Sequence, residues 1–208
     1  MEYNHKQLAI LQAAETLFAS QGFHGTSVRD IAHAADVNIA MISYYFGSKE
    51  KLIEAIFLNR IVGWKSVLES FLKDESLTFV ARFDKLVETY VHRIFTNPCF
   101  NLMMMRAQLQ SDLGVNDLVH QNKKEIFELI SSFITNGQGN GVFNEGIDIP
   151  MMVQTLVGTT NHVMSTRHHF AKITGLEHLS DDQLQEHLVI HISNHLKKLL
   201  KAILIHEA

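Results

Sequence analysis

Between Gly22 and Gly47 the chain carries two short helical segments with a turn of only a few residues between them. Thr26 or Ser27 opens the first, and Ser27 with Asp30 three residues later is a capping-box-like start. That segment, with Val28, Ile31 and Ala32, stops near Ala35; Asp36-Val37 makes the turn and Asn38 caps the next segment. Phe46-Gly47 closes this two-turn helix, and Ser48 starts a longer one through Leu52, Ile53, Ile56 and Phe57 to about Leu72. Upstream, Leu8, Leu11, Ala14, Leu17 and Phe18 mark a supporting helix from His5 to Gln21, ended by Gly22. Short helix, tight turn and short helix is the arithmetic of a helix-turn-helix, whose second helix enters the major groove of DNA.

The second short helix decides what such a unit could do. Its buried face uses Val37, Met41, Ile42 and Phe46, leaving Ile39, Ala40, Ser43, Tyr44 and Tyr45 for groove and support. A tyrosine hydroxyl at a helix end donates to phosphate oxygen. Ser48 opens a helix whose amides favour an anion, and Lys49 adds a full charge. The same residues would serve equally as packing and a well-capped helix start. Net charge does not separate the two, because residues 1–65 hold six Lys/Arg and six Asp/Glu. DNA binding would rest on the local placement of Arg29, Lys49 and Lys51.

The stretch "ILQAAETLFASQGFHGTSVRDIAHAADVNIAMISYYFGSKEKL" resembles the N-terminal DNA-binding domain of the TetR family of bacterial transcriptional regulators. The resemblance rests on "ILQAAETLF", Gly22, "TSVRDIA" and "YYFGSKEKL", about a quarter of the chain. It implies that Ser27, Tyr44, Tyr45 and Lys49 contact the DNA backbone. It places Arg29, Ile39, Ala40 and Ser43 near base edges, with Asn38 counted among the DNA-binding residues. Two positions depart from the pattern. Asp36 stands where the family usually has glycine, and Ser43 where many members carry a phosphate-contacting tyrosine.

The remainder keeps a helical rhythm, interrupted only by Pro98 and Pro150 among prolines. Helices are expected over Thr78–Thr96, Asn97–Leu113, Leu118–Thr135, Met151–Phe170 and Asp181–His206, with a turn-rich "NGQGNGVFNEGIDIP" before the last two. The expected fold is therefore all-α with about nine helices. Residues 1–48 form the helix-turn-helix domain and 49–208 a helical effector-binding and dimerisation domain. The last helix puts Leu184, Leu188, Ile192, Leu196, Leu199 and Ile203 on one face, with Val189, Ile190, Leu200 and Leu204 widening the apolar arc. So wide an arc buries two faces, either inside one chain or in a symmetric dimer, and the resemblance implies a homodimer through the last two helices. The resemblance also implies an effector cavity among the middle helices. Trp64, Phe83, Tyr90, Met103, Met104, Gln108, Phe127 and His162 are candidates for its lining, although clustered methionines also serve as core. That mixture suits a small, mostly apolar effector.

Other classes fit less well. His187, His191 and His195 recur every four residues, and two imidazoles at that spacing chelate a metal, but no fixed third ligand or CxxC accompanies them. A polar stripe accounts for them, so neither a metal site nor a cofactor is expected. An inward Glu-x-x-His pair, as in helical oxidases, occurs only at Glu2–His5. Nucleophile elbow, Walker loop and GxGxxG turn are absent, so no enzyme is expected. One cysteine, no secretory signal and no long apolar run point to a cytoplasmic protein. The expected function is a homodimeric repressor released from a palindromic DNA operator by the effector. The alternative is a helical small-molecule or lipid-binding protein that does not bind DNA.

Overall fold

The computed structural model describes residues 3–109 and 116–205, without the side chains of 107–109, 116, 118 and 119. Among the described residues the chain is all-helical. The helices are α1 (His5–Gln21), α2 (Val28–Ala34), α3 (Ile39–Phe46), α4 (Lys49–Leu72), α5 (Phe79–Thr96), α6 (Pro98–Leu109), α7 (Asn116–Gly139), α8 (Ile149–Ser165), α9 (Arg167–Thr174) and α10 (Asp181–Leu204). They form two compact units, residues 1–66 with 99–126, and residues 67–98 with 127–208.

In the first unit α1 buries Ile10, Leu11, Ala14 and Phe18 against Ile31 of α2, Ile42 of α3, and Leu52, Ile53, Ile56 and Phe57 of α4. Leu8, expected on that stripe, is instead exposed, and Ile10 takes its place. Phe100 and Met103 of α6 complete this core.

The second unit is built on α5, which packs against both α8 and α10. Leu184, Leu188, Ile192, Leu196, Leu200 and Leu204 form the buried stripe of α10. Leu199 and Ile203, expected on that face, are exposed. The reason is the neighbour: the buried stripe advances four residues at a time, about 40° around a 3.6-residue helix per step, and follows α5 to Leu200 and Leu204. Lys197 and Lys201 of α10 reach Glu88 and Asp84 of α5 at 2.6 and 3.0 Å. Asn144 donates from its backbone to Leu204 O and from Nδ2 to Ile203 O, satisfying carbonyls at the open end of α10.

Two helix boundaries differ from the expected ones. The helix expected over 151–170 breaks at Thr166, whose amide and Oγ1 both donate to His162 O. Thr166 takes φ −108° and ψ 15°, outside helical geometry, and α9 starts afresh after it. This break raises the count to ten among the described residues. Conversely, α7 runs on through Asn136 to Gly139, although glycine and asparagine there read as a turn. Its Gly137 lies directly under the Phe143 ring, and Gly137 O accepts from the Val142 and Phe143 amides. Tertiary packing thus overrides weak local propensity. The expected ends at Leu113 and His206 lie outside the described residues.

Gly137→Ala would push a methyl group into the Phe143 ring. We expect it to destabilise the chain by about 1–3 kcal/mol in urea unfolding despite alanine's better helix propensity. An unchanged or raised midpoint would show that Phe143 moves aside freely.

Candidate nucleic-acid interface

Local capping sets the two short helices. The Ser27 side chain accepts from the Asp30 amide at 3.1 Å, while the Ser27 amide donates to the Asp30 carboxylate at 2.9 Å. The Ser27 hydroxyl also donates to that carboxylate at 2.6 Å, and this bond, with the amide bond, holds the Asp30 carboxyl below its ordinary 3.8. A depressed pKa means the stabilisation is present above the ordinary value and is lost as pH falls through the folded one. Asp36 follows α2 with φ 52°, a left-handed conformation that Asp tolerates better than most residues, so the turn forms without glycine. Asn38 then caps α3, its side chain accepting from the Ala40 amide at 2.9 Å.

Within α3, Ile42 is fully buried while Ile39, Ala40, Ser43 and Tyr44 are exposed. Tyr44 is 82% exposed and stacks edge-on against Tyr45, with ring centroids 5.1 Å apart. Tyr45 is half-buried against the core and meets Phe46 at 6.4 Å. The two tyrosines therefore differ: one ring faces solvent and the other packs. Arg29, on α2, is also exposed.

The start of α4 is more occupied than its sequence suggests. Lys49 Nζ donates to Phe23 O at 2.9 Å and to Thr26 O at 3.0 Å, and lies 4.2 Å from the centroid of the Phe23 ring. Two of its three donors are thus spent tying α4 to the turn before α2. Ser48 accepts from the Lys51 amide, and its side-chain hydrogen bond to Glu50 lowers that carboxyl's pKa. A carboxylate of the chain already sits at this helix start.

Two further ties had no local signal. Arg60 of α4 donates from Nε and Nη2 to the two carboxylate oxygens of Glu15 on α1, both at 3.0 Å. Glu15 is only 8% exposed, on the buried face of α1, and a buried carboxylate demands such a partner. Arg106 of α6 donates to Ala19 O at 2.7 Å, serving the last carbonyls of α1.

The residues expected to line an effector cavity are divided between the units. Trp64, Met103, Met104 and Gln108 fall in the first, and Phe83, Tyr90, Phe127 and His162 in the second. Trp64, Phe83 and Met103 are buried, Met104, Tyr90 and Phe127 half-buried, and His162 is exposed. The Gln108 side chain lies outside the described residues. Phe83 belongs to an aromatic cluster with Phe143, which also contacts Phe79 and Phe133. The Tyr90 hydroxyl accepts from Asn161 Nδ2 at 3.3 Å, and burial pushes its pKa up to about 12. On α10, His187, His191 and His195 are exposed, with the first two rings stacked at 5.8 Å. Among the described residues, no three His, Cys, Asp or Glu side chains gather as a metal site, and no helix is long and apolar enough to cross a membrane.

Residues 10–56 match the family described as bacterial regulatory proteins, tetR family. Residues 80–193, more than half of the chain, match the tetracyclin repressor-like C-terminal domain. The chain belongs to the TetR family. In this TetR-family protein α1–α3 are therefore a helix-turn-helix DNA-binding module, and the chain is a transcriptional regulator. It is 34% identical over 127 residues to the probable HTH-type transcriptional regulator YttP of Bacillus subtilis (strain 168), covering 58% of this chain and 60% of that one. The chain thus spans less than two thirds of that relative. It is 27% identical to the HTH-type transcriptional repressor KstR2 of Mycolicibacterium smegmatis (strain ATCC 700084 / mc(2)155), over 73% of this chain and 74% of the repressor. The fold matches the transcriptional regulator FadR from Bacillus subtilis, solved with stearoyl-CoA, at TM-score 0.73 and 21% identity, covering 96% and 99% of the two chains.

Arg60→Met would leave the Glu15 carboxylate buried without its fork. We expect about 2 kcal/mol lost from stability, less than for a fully enclosed pair because Arg60 is 39% exposed. The double variant Glu15→Gln/Arg60→Met should recover part of that loss; unfolding midpoints check both.

Proposed function

We propose that this TetR-family regulator is a homodimeric repressor released from a palindromic operator by a small, mostly apolar effector. The observation that carries DNA reading is the outward strip of α3, Ile39, Ala40, Ser43 and Tyr44, exposed around the buried Ile42. Those four residues, with Arg29, meet base edges and adjoining backbone. Ser27 and Asn38 present the starts of α2 and α3, and the Tyr44 hydroxyl takes the phosphate contact. Tyr45 holds the helix in place and approaches the backbone only with its hydroxyl. Lys49 offers its one unspent donor. Residues 1–48 carry the DNA contacts, and residues 49–208 carry effector binding and dimerisation.

Dimerisation is supported by Leu199 and Ile203, apolar residues exposed one turn apart on α10, and by Met151 exposed on α8. An apolar face of this kind is covered most economically by a two-fold copy. Effector chemistry is supported by the apolar majority of the candidate lining residues. Because FadR was solved with stearoyl-CoA, that compound is the first probe. Displacement at Trp64 would reach Lys49 along α4, which is continuous from Lys49 to Leu72. In a dimer this would alter a recognition-helix spacing that must match grooves about 34–36 Å apart.

A mobility shift with DNA from upstream of the coding region, at stated salt, tests the whole reading. Binding relieved by stearoyl-CoA, whose acyl chain supplies the apolar part, or by a smaller apolar ligand supports it, whereas ligand binding without any shift would make the protein a DNA-free carrier. In that assay Tyr44→Phe should lower affinity markedly with stability unchanged, and Tyr45→Ala should cost stability through its ring. Lys49→Met separates the two roles of its ammonium. A tie to Phe23 and Thr26 shows as a lower unfolding midpoint, and a phosphate contact as a salt slope reduced by about one.

Gly63 offers a further check on transmission along α4. A Cβ there would meet nothing within 4 Å, so close packing inside the chain does not explain the glycine. Gly63→Ala should stiffen α4, raising stability by about 1 kcal/mol, and weaken effector-induced release while leaving DNA and effector binding intact. Normal release from DNA would remove Gly63 from the transmission.

A further inference from the structure

The first unit contains a recess of about 220 Å³ that takes no lining from α2 or α3. Phe18, Phe23, Ile53 and Met103, all buried, give it an apolar floor, and Ser20, Gln21, Gly22 and Arg106 form its rim. Cavities of roughly 150 Å³ with such apolar walls accept benzene, so this one has room for a ring of that size and a polar group. Arg106 supplies the polar chemistry. Its Nη1 serves Ala19 O at 2.7 Å and approaches Phe18 O at 3.5 Å, while Nε and Nη2 have no hydrogen-bond partner among the described residues. A guanidinium presents its donors in a planar fork that suits a carboxylate.

We infer that this recess is a ligand site for a small organic monocarboxylate, a single ring or short chain, anchored by Arg106. The apolar body lies on Phe18, Phe23, Ile53 and Met103, and the carboxylate accepts from Nε and Nη2 at the rim. Lys49, whose ammonium stands over the Phe23 ring, adds positive potential nearby. The site differs from the proposed effector cavity, with which it shares only Met103, and its occupation does not depend on whether the protein represses transcription.

Sodium benzoate is the probe, with benzyl alcohol as its neutral counterpart, titrated into the full-length protein at constant ionic strength. Calorimetry and amide NMR follow the titrations. The expected result is saturable one-to-one binding of benzoate, with shifts centred on residues 18–23, Ile53 and Met103. Benzyl alcohol and the Arg106→Gln variant should each show affinity reduced about tenfold or more, the effect of losing a charge-assisted pair. Arg106→Gln also cuts the tie to α1, so a second variant, Ser20→Phe, covers the recess from the exposed rim and leaves Arg106 in place. It should abolish binding with the unfolding midpoint unchanged. Linear, unsaturable shifts, or benzoate binding undiminished in Ser20→Phe, would overturn the proposal. A protein that fails to shift DNA yet binds benzoate in this pattern would sink the repressor reading and keep the site.

Discussion

Helices of seven and eight residues do not hold themselves together in water. Isolated helices shorter than about 12–15 residues are marginal even with favourable composition, and α2 and α3 are shorter than that. Their existence depends on burying Ile31, Ala32 and Ile42 against α1 and α4. Every outward residue of α3 is therefore placed by an inward one. Ile42 has no polar atom to offer DNA, yet its burial aims Ile39, Ser43 and Tyr44 away from the core.

Polar ties complete what apolar contact begins. Apolar packing is non-directional and tolerates small rotations of one helix on another, whereas a bidentate arginine fork does not. The Arg60–Glu15 fork sets α4 on α1, the Lys49 ammonium sets the start of α4 on the turn before α2, and Arg106 sets α6 on the end of α1. All three bonds join positions far apart in the chain. Two of them satisfy carbonyls that a helix end or turn leaves unpaired, so they add orientation at groups that would otherwise need water.

Residues that can both pack and bind were divided by the structure. "YYFGSKEKL" reads as a phosphate clamp with two equivalent tyrosines and a free lysine, but Tyr44 is outward, Tyr45 half-buried and Lys49 engaged. Met103 reads equally as core and as ligand lining, and the fold gives it both surroundings, buried in one cluster with Phe100 and Phe57 and lining the recess at Arg106. On α10 the apolar arc was legible, but Leu199 and Leu200 exchange the roles their spacing suggests, because which side is inward depends on α5.

Local chemistry was settled by the order of residues alone. The Ser27–Asp30 capping box, the Asn38 cap, the left-handed Asp36 and the stops at Gly22 and Gly47 each involve atoms within a few residues, so their geometry follows from short chain segments. The helical fold class and the position of the helix-turn-helix followed from the same signals. Tertiary structure alone decided the partner of Glu15, the engagement of Lys49, the break at Thr166, the extension of α7 over Gly137, and the gathering of Phe18, Ile53 and Arg106 around one recess. Most of these depend on residues brought together from distant positions. At Thr166 the backbone leaves helical geometry with no glycine or proline to mark the place in the sequence. A linear pattern records which side chains need a partner, but only the folded chain determines which partner arrives.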